Sequence, residues 1–206
     1  MRLPQLTACP VCHSVLSERV AACPNCETEL TPYYEQHEAA RALINQAANA
    51  VSRGEMIEAK RLLGDAERML PSPVEAVEEL RTVILLQEHR LEDALRAASA
   101  LPDDCPGKPR LLDDIAAASE RVENAKMHFN LALTAARQGS LADAAYHVEK
   151  TLSLAPHLPE PWRLAAKIAL KREDFAAAQR YLSRGAELFP RDSYLAPLAA
   201  EIKQAK

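Results

Sequence analysis

Glycine is scarce, with five in 206 residues against abundant Ala, Leu, Glu and Arg, a composition that favours helix nearly throughout. No strand pattern stands out and no glycine-rich phosphate loop is present, which excludes the usual nucleotide-binding layouts. No apolar run approaches the roughly 18 residues needed to cross a bilayer. Met1 to Pro10 carries one charge and no apolar stretch, so no signal-peptide pattern is seen and a cytoplasmic location is expected. Nor is there an excess of positive charge. The net charge is −4, which argues against a general nucleic-acid binder. His37, His89, His128, His147 and His157 do not fall into ligand or triad spacing, so no catalytic residue is assigned and a non-enzymatic protein is expected. What is present is 48% hydrophobic and 26% charged residues in a chain long enough for a sizeable core. Charge is uneven: residues 1–104 hold 10 Lys and Arg against 17 Asp and Glu, and residues 105–206 hold 15 against 12.

Four of the five cysteines form two C-x2-C knuckles, Cys9-Pro10-Val11-Cys12 and Cys23-Pro24-Asn25-Cys26, separated by ten residues. Each knuckle aims two thiolates at one ion, and two knuckles complete a tetrahedral site, so Cys9, Cys12, Cys23 and Cys26 are the expected ligands of a structural Zn2+. Thirty residues cannot bury a core of their own, and zinc supplies about 10–16 kcal/mol of apparent folding free energy. The pattern resembles the small zinc ribbons of the form C-P-x-C-G, although His13 and Glu27 stand where that family has glycine in a left-handed turn. Haem attachment at Cys9-x2-Cys12-His13, a pair of disulfides, and rubredoxin-like iron are alternatives for the same residues. Between Met1 and Leu30 only Arg2 and Arg19 are basic, against Glu18, Glu27 and Glu29, and no aromatic appears. A tetrathiolate zinc itself carries two net negative charges, so this module is expected to cap or dock rather than to read nucleic acid.

From Ala125 to Pro190 the chain repeats at 34 residues: Ala144 aligns with Ala178, Val148 with Leu182, and Pro156 with Pro190. Trp162, Ala165, Ala166, Ala169, Ala178, Leu182 and Pro190 in one copy, and His128, Leu131, Ala132, Ala135, Gly139, Ala144, Val148 and Pro156 in the other, resemble the tetratricopeptide repeat (TPR). Small residues at 144 and 178 sit where two helices cross, and Pro156 and Pro190 close the second helix of each pair. Registering Pro71 on Pro156 places Gly54 on Gly139, Ala59 on Ala144 and Leu63 on Val148, and Ala94 follows Ala59 by 35 residues. The 50 residues from Ala94 to Ala144 are expected to lengthen the next first helix to Arg110–Arg137, about 40 Å. Thr31 is expected to cap the first helix, with Pro32 behind it. The expectation is an all-α, TPR-like α-solenoid of helix hairpins behind a zinc ribbon. The ribbon covers 1–30 and the helical region 31–206, with degenerate repeats at 31–71 and 72–106, a long helix at 110–138, clear repeats at 125–156 and 159–190, and a capping helix at 192–206 opened by Asp192 or Ser193.

The TPR resemblance implies a protein-interaction role, with ligands touching fixed positions of the first helix of each pair. Those positions here include Lys126, Phe129 and Arg137 in one copy and Arg163, Lys167 and Lys171 in the next, a basic groove with one exposed Phe, suited to an acidic or carboxylate-ended peptide. Lys126-x3-Asn130 resembles the start of a carboxylate clamp, but Leu164, Tyr194 and Leu198 fall where its other polar residues would be, so chaperone tails are not expected. The expected function is a non-enzymatic adaptor or scaffold for a protein partner. The alternative is a regulator at a nucleoprotein complex, and head-to-tail self-association of acidic and basic halves is a third reading.

Overall fold

A computed structural model describes residues 6–70 and 74–195. Among the described residues eight helices follow one another: α1 Thr31–Ser52, α2 Met56–Met69, α3 Glu75–Gln87, α4 Leu91–Ala100, α5 Lys108–Arg137, α6 Leu141–Leu154, α7 Pro159–Lys171 and α8 Phe175–Leu188. No strand occurs among the described residues; two isolated antiparallel bridges, Ala8 with Val15 and Ala22 with Glu29, mark the cysteine module. The fold is all-α, built from repeated helix hairpins. The chain divides into two compact units, residues 1–116 and 117–206, with the boundary inside α5.

The hairpins share one turn. Gly54, His89, Gly139 and Glu173 follow the first helix of successive pairs, and all four have positive φ, between 59° and 83°. The residue after each donates its backbone N–H five residues back: Glu55 to Ala50, Arg90 to Leu85, Ser140 to Ala135 and Asp174 to Ala169, all at 2.9–3.0 Å. This is the left-handed closure that satisfies the orphan carbonyls of a helix end. Each second helix then starts identically. The amides of Ala59, Ala94, Ala144 and Ala178 donate to Glu55, Arg90, Ser140 and Asp174, and all four alanines are completely buried. One turn further on, Leu63, Ala98, Val148 and Leu182 are buried as well. A side chain limited to one methyl lets the backbones of a pair approach closely.

In the first unit, α1, α2 and α3 enclose Ile44, Ala47, Ala59, Leu63, Val77 and Ile84. A second cluster joins α4 to the start of α5 through Ala94, Ala98, Leu101, Cys105, Leu111 and Ile115. In the second unit, Ala132 and Ala135 of α5 pack with Ala144 and Val148 of α6 and with Ala165 and Ile168 of α7. Ala166, Leu182 and Leu195 close its far end, where the Trp162 indole donates to the Pro156 carbonyl at 2.9 Å.

One local expectation changes. Helix α1 begins at Thr31, so Leu30 takes the cap position, Thr31 makes no capping bond and Pro32 lies within the first turn, where its missing N–H costs nothing. Asp192 Oδ1 accepts from the amides of Tyr194 and Leu195 at 2.9 Å. The expected stop at Pro71 and the capping helix beyond Leu195 lie outside the described residues.

Candidate metal centre and interaction surfaces

The two cysteine knuckles are copies of one another, offset by 14 residues. Cys9 N donates to the Ser14 carbonyl and Cys23 N to that of Thr28, both at 2.9 Å; His13 N returns to Cys9 and Glu27 N to Cys23, at 2.9 and 2.8 Å. Leu16 and Leu30 bond back to Thr7 and Ala21 in the same way, each at 2.8 Å. His13 and Glu27 have φ of 58° and 63°, so the left-handed turn that the ribbon family builds with glycine is kept here without one.

This backbone brings the sulfurs together. Cys9 Sγ lies 3.6 Å from Cys26 Sγ, Cys12 Sγ lies 3.6 Å from Cys23 Sγ, and all four sulfurs are within 4.8 Å of one another. The thiols are free rather than bridged. A tetrahedron with zinc–sulfur bonds of about 2.3 Å has edges of about 3.8 Å, so the sulfurs already stand near the separation that one zinc ion requires. The Ser14 hydroxyl, 3.1 Å from Cys12 and 3.3 Å from Cys23, favours thiolate at both. It leads the lowering of Cys12 to about 5 and also lowers Cys23. Cys9 goes the other way, to about 11: the pull of the Cys12 amide is outweighed by burial and by the neighbouring sulfurs. Thr28 Oγ1 lies beside Cys26 at 3.2 Å, as Ser14 does beside Cys12.

The module packs directly on α1. Cys9, Leu16, Cys23, Leu30 and Tyr34 form one buried cluster, the Tyr34 hydroxyl accepts from Val20 N at 3.3 Å, and the Arg19 guanidinium stands 4.8 Å over the Tyr34 ring while pairing with Glu38 at 2.5 Å. Two apolar side chains remain outside this cluster: Val11 and Val15 are 57% and 82% exposed.

On the second unit, the six groove candidates, five of them basic, divide between α5 and α7. Lys126 is exposed and pairs with Glu123 at 2.6 Å, Phe129 is half-buried, and Arg137 is exposed in the last turn of α5. Arg163, Lys167 and Lys171 follow at four-residue intervals on one side of α7. Arg163 forks onto the buried Asp192, whose carboxyl it holds at about 2, while the Lys167 ammonium lies 5.0 Å over the Tyr194 ring and Lys171 is exposed. The charge of Arg163 is therefore already matched within the fold.

Two pairings were invisible at sequence level. His128 and His147, nineteen residues apart, bring Nδ1 atoms to 3.0 Å across α5 and α6. Cys105, which has no partner by spacing, is buried and donates to Glu79 Oε1 at 3.0 Å. Only the helix register joins such residues.

No protein-family model matches the chain, and no curated protein matches it. Among solved structures, YrrB, a TPR protein described as having an unusual peptide-binding site, is similar over 79% of this chain and 75% of its own, at 18% identity and a TM-score of 0.35. At that identity no residue role passes from one chain to the other. Among the described residues, no helix is long and apolar enough to cross a membrane.

Proposed function

We propose that this chain is a non-enzymatic adaptor of TPR type, whose hairpins hold a partner protein and whose four-cysteine module is a zinc-stabilised docking cap. The observation that carries the reading is the fourfold recurrence of one hairpin, with its left-handed turn and its buried alanine at 59, 94, 144 and 178. A hairpin of this kind buries its apolar face only by stacking on neighbours, and stacking leaves a row of first helices free for a ligand.

Cys9, Cys12, Cys23 and Cys26 would hold the zinc, which when bound supplies a four-way cross-link and no reaction. The protein's own residues set the site: Ser14 and Thr28 contact sulfurs, and Tyr34 fixes the module to α1. With Val11 and Val15 facing outward, the module offers an apolar contact for a protein. Its one described cation, Arg19, is committed to Glu38 and Tyr34, which supports protein docking over phosphate binding.

For the hairpins, the exposed cations Lys126, Arg137 and Lys171 are the residues to which an acidic peptide would bind. Affinity capture from the native host, comparing wild type with Lys126→Glu/Arg137→Glu/Lys171→Glu, tests this. Loss of a captured protein at unchanged thermal stability is expected; identical capture by both would contradict the basic-surface reading. Arg163 is left intact because its reversal would break the ion pair with Asp192. Retention of the full chain on DNA or RNA that weakens steeply with salt would favour a regulator at a nucleoprotein complex instead.

A further inference from the structure

Away from the paired knuckles, two glutamates of α3 meet the thiol of Cys105 in the loop before α5. Glu75 and Glu79 are four residues apart, so both side chains leave α3 on one side. One carboxylate oxygen from each and Cys105 Sγ all lie within 4.8 Å of one another. Cys105 and Glu79 are 1% and 8% exposed, and the thiol donates to Glu79 Oε1. Glu75 Oε1 is enclosed as well and has no hydrogen-bond partner. An enclosed acceptor with no donor is destabilising, because folding has stripped it of the water that would otherwise bond it.

The loop closes on this cluster because residue 107 is glycine. A Cβ there would stand 2.8 Å from the carboxyl carbon of Glu79 and 2.8–3.0 Å from its oxygens. Gly107 is not among the positive-φ glycines, so close approach, not turn geometry, is what requires it. Glu75, in the first turn of α3, is half-buried.

We propose that Glu75, Glu79 and Cys105 form a second metal site, taking a divalent zinc-class ion through two carboxylate oxygens and the thiolate. Two carboxylates with one thiolate suit a borderline ion such as Zn2+ or Co2+ better than Mg2+ or Ca2+, and three protein ligands leave one position for water. On binding, the thiol proton leaves to solvent and its bond to Glu79 is replaced by sulfur and carboxylate bonds to the metal. The enclosed oxygen of Glu75 gains the partner that it lacks.

Metal-free full chain titrated with Co2+, with bound ions counted by native mass spectrometry and thiolate-to-cobalt absorption read alongside, tests the proposal. Wild type is expected to bind two ions, and Cys105→Ser and Glu75→Gln one each. Because the serine hydroxyl can still donate to Glu79, the metal-free Cys105→Ser chain should melt like wild type, and its absorption should fall by about one-fifth as five thiolate ligands become four. Cys9→Ser/Cys23→Ser should lose the knuckle ion and keep the other, which separates failure of one site from failure of the other. A second Co2+ that ignores Cys105→Ser, or a wild-type chain whose count Cys105→Ser leaves unchanged, would overturn the proposal.

Discussion

Residues 6–30 and the helical hairpins bend the backbone by the same device and stabilise it by different ones. Both use left-handed residues to reverse the chain: His13 and Glu27 in the knuckles, Gly54, His89, Gly139 and Glu173 between helices. Around the knuckles the buried cluster is small, with cysteines among its few members, and it leans on Tyr34 of α1. Around the hairpins the enclosed residues are mainly alanine and branched aliphatics, which interlock without any ligand. The contrast teaches where the folding free energy resides. Apolar burial at about 25 cal/mol per Å2 can support two-helix units stacked on others, whereas so small a front end, in the function proposed above, depends on metal–sulfur bonds.

Breaking that contrast should have its largest effect at sulfur. Cys23→Ser leaves three strong ligands, and protease cleavage within residues 6–30 is expected while helical circular dichroism is kept; loss of helix throughout would show that the hairpins depend on the metal too. Overfilling an interlock comes next. Ala144→Leu forces α5 and α6 apart and should cost about 1–3 kcal/mol in urea unfolding, with metal content unchanged; a cost near zero would deny that the buried alanine sets the helix spacing.

The smallest effects concern the shared turn. A Cβ at Gly139 would meet nothing within 4 Å, yet φ is +83°, so Gly139→Ala tests backbone strain alone and should cost about 1–2 kcal/mol. Glu173→Gly is the reverse experiment. It should stabilise by about 0.5–1 kcal/mol, the relief of the left-handed side chain partly offset by a freer unfolded chain. Equal and opposite failures, a harmless Gly139→Ala with a harmful Glu173→Gly, would mean that the turns are not equivalent.

Much of this architecture was legible because it repeats. The alanines at 59, 94, 144 and 178 and the paired C-x2-C knuckles are positional signals that need no partner to be read. The left-handed turns at His89 and Glu173 were not legible, since nothing in a histidine or a glutamate announces positive φ; only their register with Gly54 and Gly139 does. Thr31 misled for a related reason: its hydroxyl suits a cap, but the chain enters α1 one residue earlier, at Leu30. Of the basic surface, the residue types could be read and their engagements could not, because the partner of Arg163, Asp192, lies 29 residues away. The same holds for Cys105 and Glu79, 26 residues apart and joined only once α3 and the start of α5 are packed.

Hydrogen exchange of the full chain, compared with and without a strong zinc chelator, tests most directly whether the front end is held by metal and the hairpins by interlocked alanines. Protection should vanish at the amides of Cys9, His13, Leu16, Cys23, Glu27 and Leu30 and persist in α2, α6 and α8. Unchanged protection at those six amides in a chain shown to be metal-free, or equal loss in α6 and α8, would contradict it.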